Sequence, residues 1–263
     1  MLRQLPSPLK RQLRLAGCQM VARWRRYPWS HQLTRQHLEE QAAAAFASEA
    51  CVWQTISTPI PERGDANTCA NRRHNLGLAT RALHNRLILP GGAFSLSQQL
   101  GEPSEANGYR AGPVFIQGQV LREAGGGLCL IATNLYQLFL YAGCRILERH
   151  NHSIDAYGEE RFYALGEDAA IAYSTKDLAI RNPFRTPILL RIHVGEHAVH
   201  TQLLGHGPRP VQTLIQSTVL ERHPTAPGQQ HPGWRVSTSR FIKRPSSSRW
   251  RQDYLSFSHY QPC

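Results

Sequence analysis

The sequence predicts an α+β protein in which a mainly antiparallel sheet packs on one buried central helix, at about residues 129–141, with further helices near the N-terminus. The central helix is predicted because the segment LCLIATNLYQLFLYAG, residues 128–143, is almost wholly apolar and follows three glycines. The sheet is predicted because the chain beyond this segment alternates short β-branched and aromatic runs with turn residues. Seventeen prolines and twenty glycines also favour many short elements over a helical bundle.

Residues 1–70 are predicted to form a basic helical segment. Apolar residues recur at spacings of three and four after Pro8, which indicates an amphipathic helix, and residues 36–50 favour a second helix by propensity. The first helix is basic and carries a tryptophan at its apolar edge, so it suits a membrane surface as well as packing on its own domain. The recurring apolar residues are Leu9, Leu13, Ala16, Met20 and Trp24.

Residues 71–200 are predicted to form the core domain, and residues 201–263 a strand and loop extension that packs on it. The core begins with a helix over Asn71–Leu87, which ends before the turn at Pro90-Gly91. A hairpin is predicted from residues 114–116 and 119–121, on either side of Gln117-Gly118. Short strands follow the central helix at Cys144–Glu148, Ala169–Tyr173, Leu178–Arg181 and Ile188–Val194.

The formal net charge of +12, from 30 Lys and Arg against 18 Asp and Glu, is concentrated near both ends of the chain. No acidic residue precedes Glu39, and a second basic cluster lies near the C-terminus. Such clusters favour anionic lipid headgroups or nucleic acid, or form a solvated surface. Nucleic acid ranks last because no recognition motif with interleaved stacking aromatics is present. The C-terminal cluster consists of Arg240, Lys243, Arg244, Arg249 and Arg251.

The cysteines and the lack of long apolar runs point to the inside of the cell. None of the six cysteines forms a CxxC pair, which excludes a zinc knuckle of the usual spacing, and we expect most of them to be reduced. No run of about 18 apolar residues indicates a transmembrane helix, and the basic N-terminus lacks the apolar region of a signal peptide. We therefore expect a cytoplasmic protein, with peripheral contact at the inner face of the membrane as an open alternative.

The strongest chemical feature is Cys129, which follows Gly125-Gly126-Gly127 at the start of the apolar helix. Glycines permit a sharp bend with exposed N–H groups, and a thiol at a helix N-terminus is favoured as thiolate by the helix dipole. The same N–H groups are suited to stabilising an oxyanion. The alternative is that Cys129 is a small buried hydrophobe and that the glycines only allow tight packing.

A cysteine nucleophile needs a base, and His152 lies one helix and one strand further on. Asp168 is the candidate that orients this histidine, although an aspartate there is equally suited to capping a turn. His150 is an alternative base, and Cys129 with both histidines is an alternative, weaker metal set. The order Cys, His, Asp is similar to that of transglutaminase-like and papain-like thiol enzymes, which is an analogy of arrangement only.

The candidate substrate-binding residues surround this proposed catalytic set. They are the three glycines of the loop, Ser95 after the Pro90-Gly91 turn, Tyr109 and His150. Ser95 and Tyr109 are equally suited to a strand start and a core aromatic. We predict no cofactor and no metal for this site, and the pattern predicts no oligomeric state.

Several motifs between Asn75 and Ile192 resemble the VanW family, in the order in which the family carries them. One departure is visible, because family members usually carry Gln directly after the motif cysteine and this chain has Leu130. The resemblance implies an association with vancomycin resistance and the cell envelope, but no mechanism. The motifs are Pro90-Gly91 with Phe94-Ser95, Gly125 to Cys129, Asn134-Leu135-Tyr136, Glu148-Arg149 with His152, Gly166 to Ala169, and Asp177-Leu178 with Asn182.

Three functions follow, in order of preference. The first is a cell-envelope protein whose cleft at Cys129 acts on or binds a peptide or amide substrate such as a peptidoglycan precursor, as a cysteine-dependent hydrolase or acyl transferase. The second is a non-catalytic binding or scaffolding module that uses the same cleft, which the absence of the family's Gln favours slightly. The third is a nucleic-acid binder, which the charge alone suggests.

Overall fold

A computed structural model describes residues 46, 48–116 and 119–263 of the chain. The predicted amphipathic helix after Pro8 and most of the predicted helix at residues 36–50 lie outside the described residues. Within the described part, the chain is a mixed α+β fold of three helices and four antiparallel sheets, with strand predominating. The predicted fold class is confirmed.

The helices are α1 (Ala66–Leu83), α2 (Leu96–Leu100) and α3 (Leu128–Ala142). The strands are β1 (Ala50–Pro59), β2 (Arg86–Ile88), β3 (Ala93–Ser95), β4 (Ala111–Ile116), β5 (Gln119–Ala124), β6 (Arg145–Glu148), β7 (Ala179–Arg181), β8 (Ile188–Val194), β9 (Ala198–His206), β10 (Gln212–His223), β11 (Gly233–Lys243) and β12 (Arg251–Tyr260).

Four sheets surround the helices. One has the strand order β1-β9-β8-β2, a second β3-β7-β6 and a third β10-β11-β12, while β4 and β5 form the predicted hairpin. In the first sheet a short turn joins β8 and β9, which pair from Ile188↔Gly205 to Val194↔Val199, whereas β1 and β2 reach their partners from distant parts of the chain. Every one of these ladders is antiparallel.

Helix α3 lies in the middle of the hydrophobic core, as the apolar segment predicts. Its central residues Ile131, Leu135 and Leu138 are completely buried, and the helix contacts β1, β9, β10 and β6. A helix that is apolar on every side must be covered on every side, and here sheets supply the cover. Its ends are set by glycines in the left-handed region, Gly127 (φ 99°) and Gly143 (φ 88°).

Two local predictions were wrong, and long-range pairing explains both. The helix predicted to reach Leu87 ends at Leu83, because Arg86–Ile88 pair with β8 instead. The segment Ala169–Tyr173 is not a strand. The backbone of Ala169 bonds in both directions to the hydroxyl of Thr133 on α3, so it joins a helix side chain rather than a ladder.

The C-terminal region is more regular than its composition indicates. The predicted loops and peripheral strands are a sheet of three long strands, β10 to β12, which packs against α3. Arg240, predicted as part of a basic surface cluster, is only 1% exposed and donates to the carbonyl oxygens of Leu140 and Cys144 at 2.9 and 2.8 Å. It therefore satisfies carbonyl groups at the C-terminal end of α3.

None of the helices among the described residues is both long enough and apolar enough to span a membrane.

Candidate thiol site at the start of the central helix

Cys129 lies in the first turn of α3, which begins at Leu128, so its predicted position is confirmed. The thiol is partly exposed, and it donates a weak hydrogen bond to the carbonyl oxygen of Ile171 at 3.8 Å. Its place at the positive end of a 15-residue helix favours the thiolate form.

The glycine loop reaches α3 through a backbone path that side chains would block. Gly125 and Gly127 have φ values of +91° and +99°, and a Cβ on Gly126 would lie 2.5 Å from the Cα of Gly112. The buried amide of Asn75 fixes this approach, because its Nδ2 donates to the carbonyl oxygen of Gly126 at 3.0 Å. The three glycines are thus required for the shape of the turn that carries Cys129.

The structure brings Cys129, His152 and Asp168 together. The imidazole of His152 is close enough to the Cys129 thiol for each group to shift the pKa of the other, and Nδ1 of His152 lies 2.6 Å from Oδ2 of Asp168. Because the carboxylate only accepts, Nδ1 carries the proton towards Asp168 and Nε2 is left for the thiol. The backbone N–H of His152 donates to the same carboxylate oxygen at 2.7 Å, so Asp168 fixes both the backbone and the ring of His152.

Asp168 is completely buried and held by residues from two distant parts of the chain. Nη2 of Arg149 lies 2.7 Å from its Oδ1, and the hydroxyl of Tyr260 donates to the same oxygen at 2.5 Å. Arg149 is itself fixed, with further hydrogen bonds to the carbonyl oxygen of Gly166 and the hydroxyl of Ser258. All the acceptor sites of the carboxylate are therefore engaged, and it stays ionised in the interior.

The electrostatics of the three groups favour a thiolate–imidazolium pair. Burial by itself raises the pKa of the Cys129 thiol, but the hydrogen bond from His152 and its charge outweigh burial and lower the pKa below the ordinary thiol value. Burial disfavours the charged imidazole, yet the hydrogen bonds to Asp168 and Cys129 raise the pKa of His152 to about 10. Burial also opposes ionisation of Asp168, but the charge of Arg149 and the bond to His152 keep its pKa well below its usual range.

The surroundings of the thiol combine aromatic rings with arginines. The rings of His152 and Tyr163 are stacked with centroids 6.4 Å apart. Burial raises the pKa of the Tyr157 phenol, and the charge of the nearby Cys129 adds to this rise. The guanidinium of Arg63 lies 4.9 Å from the centroid of the Tyr157 ring, and the stem of Arg72 packs against Gly127. Both arginines have partners of their own, because Arg63 pairs with Glu160 and Arg72 donates to the carbonyl oxygens of Pro61 and Arg63.

The structure places three other predicted site residues in contacts of their own. Ser95 is 2% exposed, caps α2 and donates to the carboxylate of Asp177. Tyr109 is 5% exposed, lies in the core and donates to the carbonyl oxygen of Leu100 at 3.3 Å. His150 pairs with Glu148 at 2.9 Å. None of these contacts joins the three side chains to Cys129, and their binding roles stay predictions.

Leu130, which stands where the family resemblance implies Gln, is 4% exposed and belongs to the hydrophobic core. Its side chain therefore adds to packing behind the helix, while the neighbouring thiol is partly exposed.

Sequence reasoning did not identify Arg149 and Tyr260 as partners of Asp168. Arg149 was visible only as a motif residue three positions before His152, and nothing near Tyr260 marks it as a partner of Asp168. Thr133 was also missed, although it lies one helical turn after Cys129 and its hydroxyl holds Ala169, the residue after Asp168. These three contacts bring strands and helix together, and no local pattern encodes them.

In the part of the chain that the structure describes, no group of three or more His, Cys, Asp or Glu side chains is arranged to hold a metal ion. The five described cysteines are all free thiols.

Comparison with known proteins gives the family. The family model described as "VanW like protein" matches residues 71–204, about half of the chain. The uncharacterized protein YoaR of Bacillus subtilis is 28% identical over 121 residues, which cover 46% of this chain and 39% of that protein. The vancomycin B-type resistance protein VanW of Enterococcus faecalis is 30% identical over 113 residues, which cover 43% of this chain and 41% of that protein.

The matched segment thus spans about two fifths of the length of either curated relative. No solved structure matches the chain. The family match contains the glycine loop, Cys129, His152, Asp168 and the arginine that holds Asp168. The chain belongs to the VanW-like protein family.

Proposed function

We propose that Cys129, His152 and Asp168 form the catalytic set of a cysteine-dependent hydrolase or acyl transferase that acts on a peptide or amide of the cell envelope. The observation that supports it most is the succession of thiol, imidazole and buried, ionised carboxylate, in which His152 lowers the pKa of the thiol and is itself hydrogen-bonded to Asp168. A structural role for any one of these residues does not require all three in this order.

The chemistry runs through a thioester. The Cys129 thiolate attacks the carbonyl carbon of the amide. The oxygen of the resulting tetrahedral intermediate is negatively charged, and the N–H groups at the start of α3 donate hydrogen bonds to it. The carbon–nitrogen bond then breaks, and the imidazolium of His152 gives its proton to the leaving amine. Water or an acceptor amine attacks the thioester, transfers a proton to His152 and releases the thiolate.

A peptidoglycan-precursor peptide is the substrate class that we favour. The similarity to the vancomycin B-type resistance protein of Enterococcus faecalis favours a substrate in the cell envelope. Tyr157, which is partly exposed and near the thiol, offers an aromatic ring for apolar parts of the peptide.

The proposed place of action is the inner face of the cytoplasmic membrane, reached through the basic stretch from Leu9 to Arg26, which lies outside the described residues. We expect the protein to float with anionic vesicles in a density gradient and to be released by salt. Equal recovery with neutral and anionic vesicles would argue against this placement and would leave the thiol chemistry untouched.

The test of the reaction is to trap the thioester. The whole protein is incubated with soluble peptidoglycan-derived peptides, quenched in acid and weighed by intact-protein mass spectrometry. We expect a covalent adduct that maps to Cys129, is absent from Cys129→Ala and is strongly reduced in His152→Ala. Cys51→Ala serves as the matched control, because Cys51 is an exposed cysteine on β1 and should leave the adduct unchanged.

Reversible binding of the same peptides with no adduct, equal in wild type and Cys129→Ala, would contradict catalysis. The site would then belong to a binding or scaffolding module that uses the same cleft.

A further inference from the structure

A second concave site lies at the opposite end of α3 from Cys129. It is a groove of about 720 Å³ next to Gly143, the residue that ends the helix. At 1.5 Å of rise per residue the two ends are about 20 Å apart, so the groove is separate from the thiol site. Four arginines from four different segments line the groove, namely Arg145, Arg185, Arg244 and Arg251.

The positive charge of this groove is not balanced by the protein. Asp253 is the acidic residue among those that line it, and Arg240 engages both of its oxygens at 2.9 Å. Among the described residues, the structure shows no carboxylate paired with any of the four lining arginines. All four are exposed, so their guanidinium groups are available to a ligand.

The negative end of the helix does not compensate for these charges either. The carbonyl oxygens of Leu140 and Cys144 accept from Arg240, and that of Tyr141 accepts from Arg209 and Thr213. Since these carbonyl groups already have donors, little of the helix dipole is left to repel an anion in the groove.

A pair of arginines on neighbouring strands also favours an anion in the groove. Arg145 on β6 lies directly opposite Arg181 on β7, and residues in that relation share one face of the sheet. Like charges directly opposite each other destabilise a ladder. An anion bound to Arg145 in the groove would offset this repulsion.

The remaining walls are apolar and firmly packed. Trp53 and Phe184 contact edge to face with centroids 5.1 Å apart, and the indole N–H is held by the carbonyl oxygen of Gly207 at 2.9 Å. Pro208, Pro210 and Val211 complete this side. The groove therefore offers arginines on one side and an aromatic and proline surface on the other.

We propose that this groove binds the phosphate group of a phosphate-bearing ligand, held by Arg145, Arg185, Arg244 and Arg251. Guanidinium groups pair with phosphate oxygens through two parallel hydrogen bonds, and several arginines converge best on an anion with many oxygens, such as a diphosphate. The apolar wall receives the organic part of the ligand. The phosphate comes either from a soluble compound or from a lipid headgroup, and the experiment distinguishes these sources.

The test uses the full-length protein with inorganic pyrophosphate in a titration calorimeter, and with phosphatidylglycerol or phosphatidylcholine vesicles in a flotation assay. The groove variant is Arg145→Gln with Arg185→Gln. The charge-matched control is Arg81→Gln with Arg122→Gln, two exposed arginines outside the groove. We expect the groove variant to bind pyrophosphate or phosphatidylglycerol vesicles at least about tenfold more weakly than the wild type does. The control variant should bind as the wild type does.

Saturable binding of pyrophosphate lost only in the groove variant supports a soluble phosphate compound. Flotation with phosphatidylglycerol lost only in the groove variant, without pyrophosphate binding, supports a lipid headgroup. No saturable binding of either probe, or an equal loss in both variants, overturns the proposal. Thermal melting of both variants without ligand verifies that each is folded.

Discussion

The two ends of α3 carry the same kind of side chain in opposite states. Cys129 at the first turn is partly exposed, bonded to a charged imidazole and has a lowered pKa. Cys144, just beyond the last turn, is completely buried, and burial raises its pKa to about 12 although the charge of Arg240 opposes this rise. A cysteine next to an apolar helix is thus inert or reactive according to its partners and its access to solvent.

Each end also has a buried arginine, and the two arginines differ in what they hold. Arg149 holds Asp168, which in turn orients His152, whereas Arg240 holds Asp253 and the helix carbonyl groups. The first network ends at a partly exposed thiol. The second ends in packing and leaves the nearby groove arginines without carboxylate partners. The N-terminal end of α3 is therefore arranged around the thiol of Cys129. The C-terminal end is packed for stability, next to groove arginines that have no carboxylate partner among the described residues.

The largest expected effect comes from removing Arg149. Arg149→Met leaves the buried carboxylate of Asp168 without one of its two cationic partners, which should lower the free energy of unfolding by about 3–5 kcal/mol. Urea unfolding of wild type and variant measures it. Arg235→Met is the control, since its partner Glu221 is exposed and the loss should stay below about 1 kcal/mol. Equal losses in the two variants would mean that Asp168 does not depend on Arg149.

Replacing a glycine of the loop by alanine should destabilise the protein, whereas replacing a glycine of helix α1 by alanine should stabilise it. Gly126→Ala places a methyl group against the backbone of Gly112 and should destabilise the protein by about 1–3 kcal/mol, with slower alkylation of Cys129. Gly77→Ala on α1 meets only the end of Arg81 and should stabilise it by about 0.5–1 kcal/mol. Chemical denaturation of both variants gives the comparison. A neutral Gly126→Ala would show that the close approach is dispensable.

The pH dependence of stability should reveal the charged histidine. The pKa of His152 is 6.5 as an ordinary value and about 10 in the fold, so its stabilising contribution is complete below pH 6.5 and is lost as pH rises through 10. The difference in unfolding free energy between wild type and His152→Ala should therefore shrink from pH 7 to pH 10.5. A difference that grows over this interval would contradict a charged imidazole at neutral pH.

The smallest effect is expected at Ser95, away from the thiol. Ser95→Ala removes the cap of α2 and a bond to Asp177, which should cost about 1 kcal/mol of stability. Alkylation of Cys129 should proceed at the wild-type rate, because no contact of Ser95 reaches the thiol. A slower rate with unchanged stability would restore Ser95 to the binding site.

Periodicity and local chemistry were sufficient to predict the central helix and its cysteine. The run from Leu128 to Ala142 is too apolar to lie anywhere but in the core, and the preceding glycines require a sharp entry. The same local reasoning extended α1 to Leu87, because Leu87 continues the apolar spacing of the helix. Pairing of Arg86–Ile88 with β8 overrode that spacing, and such a contact across the chain leaves no mark in a short window.

The contacts around Asp168 were less predictable than the three proposed catalytic residues. Cys129, His152 and Asp168 were proposed because their residue types fit one chemistry. Tyr260 follows them by 92 positions or more and reaches Asp168 only because β12 completes the third sheet. Arg240 was read from its neighbours as a surface cation, and its burial depends on the same sheet. Tertiary packing decided both.

The most direct test of the central claim is the alkylation rate of each cysteine as a function of pH. Wild type and His152→Ala are treated with iodoacetamide between pH 5 and 10, and labelled peptides are quantified by mass spectrometry. We expect Cys129 to react well below the pH at which exposed Cys51 reacts, and Cys144 to stay unlabelled in the folded protein. In His152→Ala the Cys129 profile should move to that of an ordinary thiol, at higher pH. A Cys129 profile that coincides with that of Cys51 or Cys144 in wild type, and does not move in the variant, would contradict a thiolate–imidazolium site.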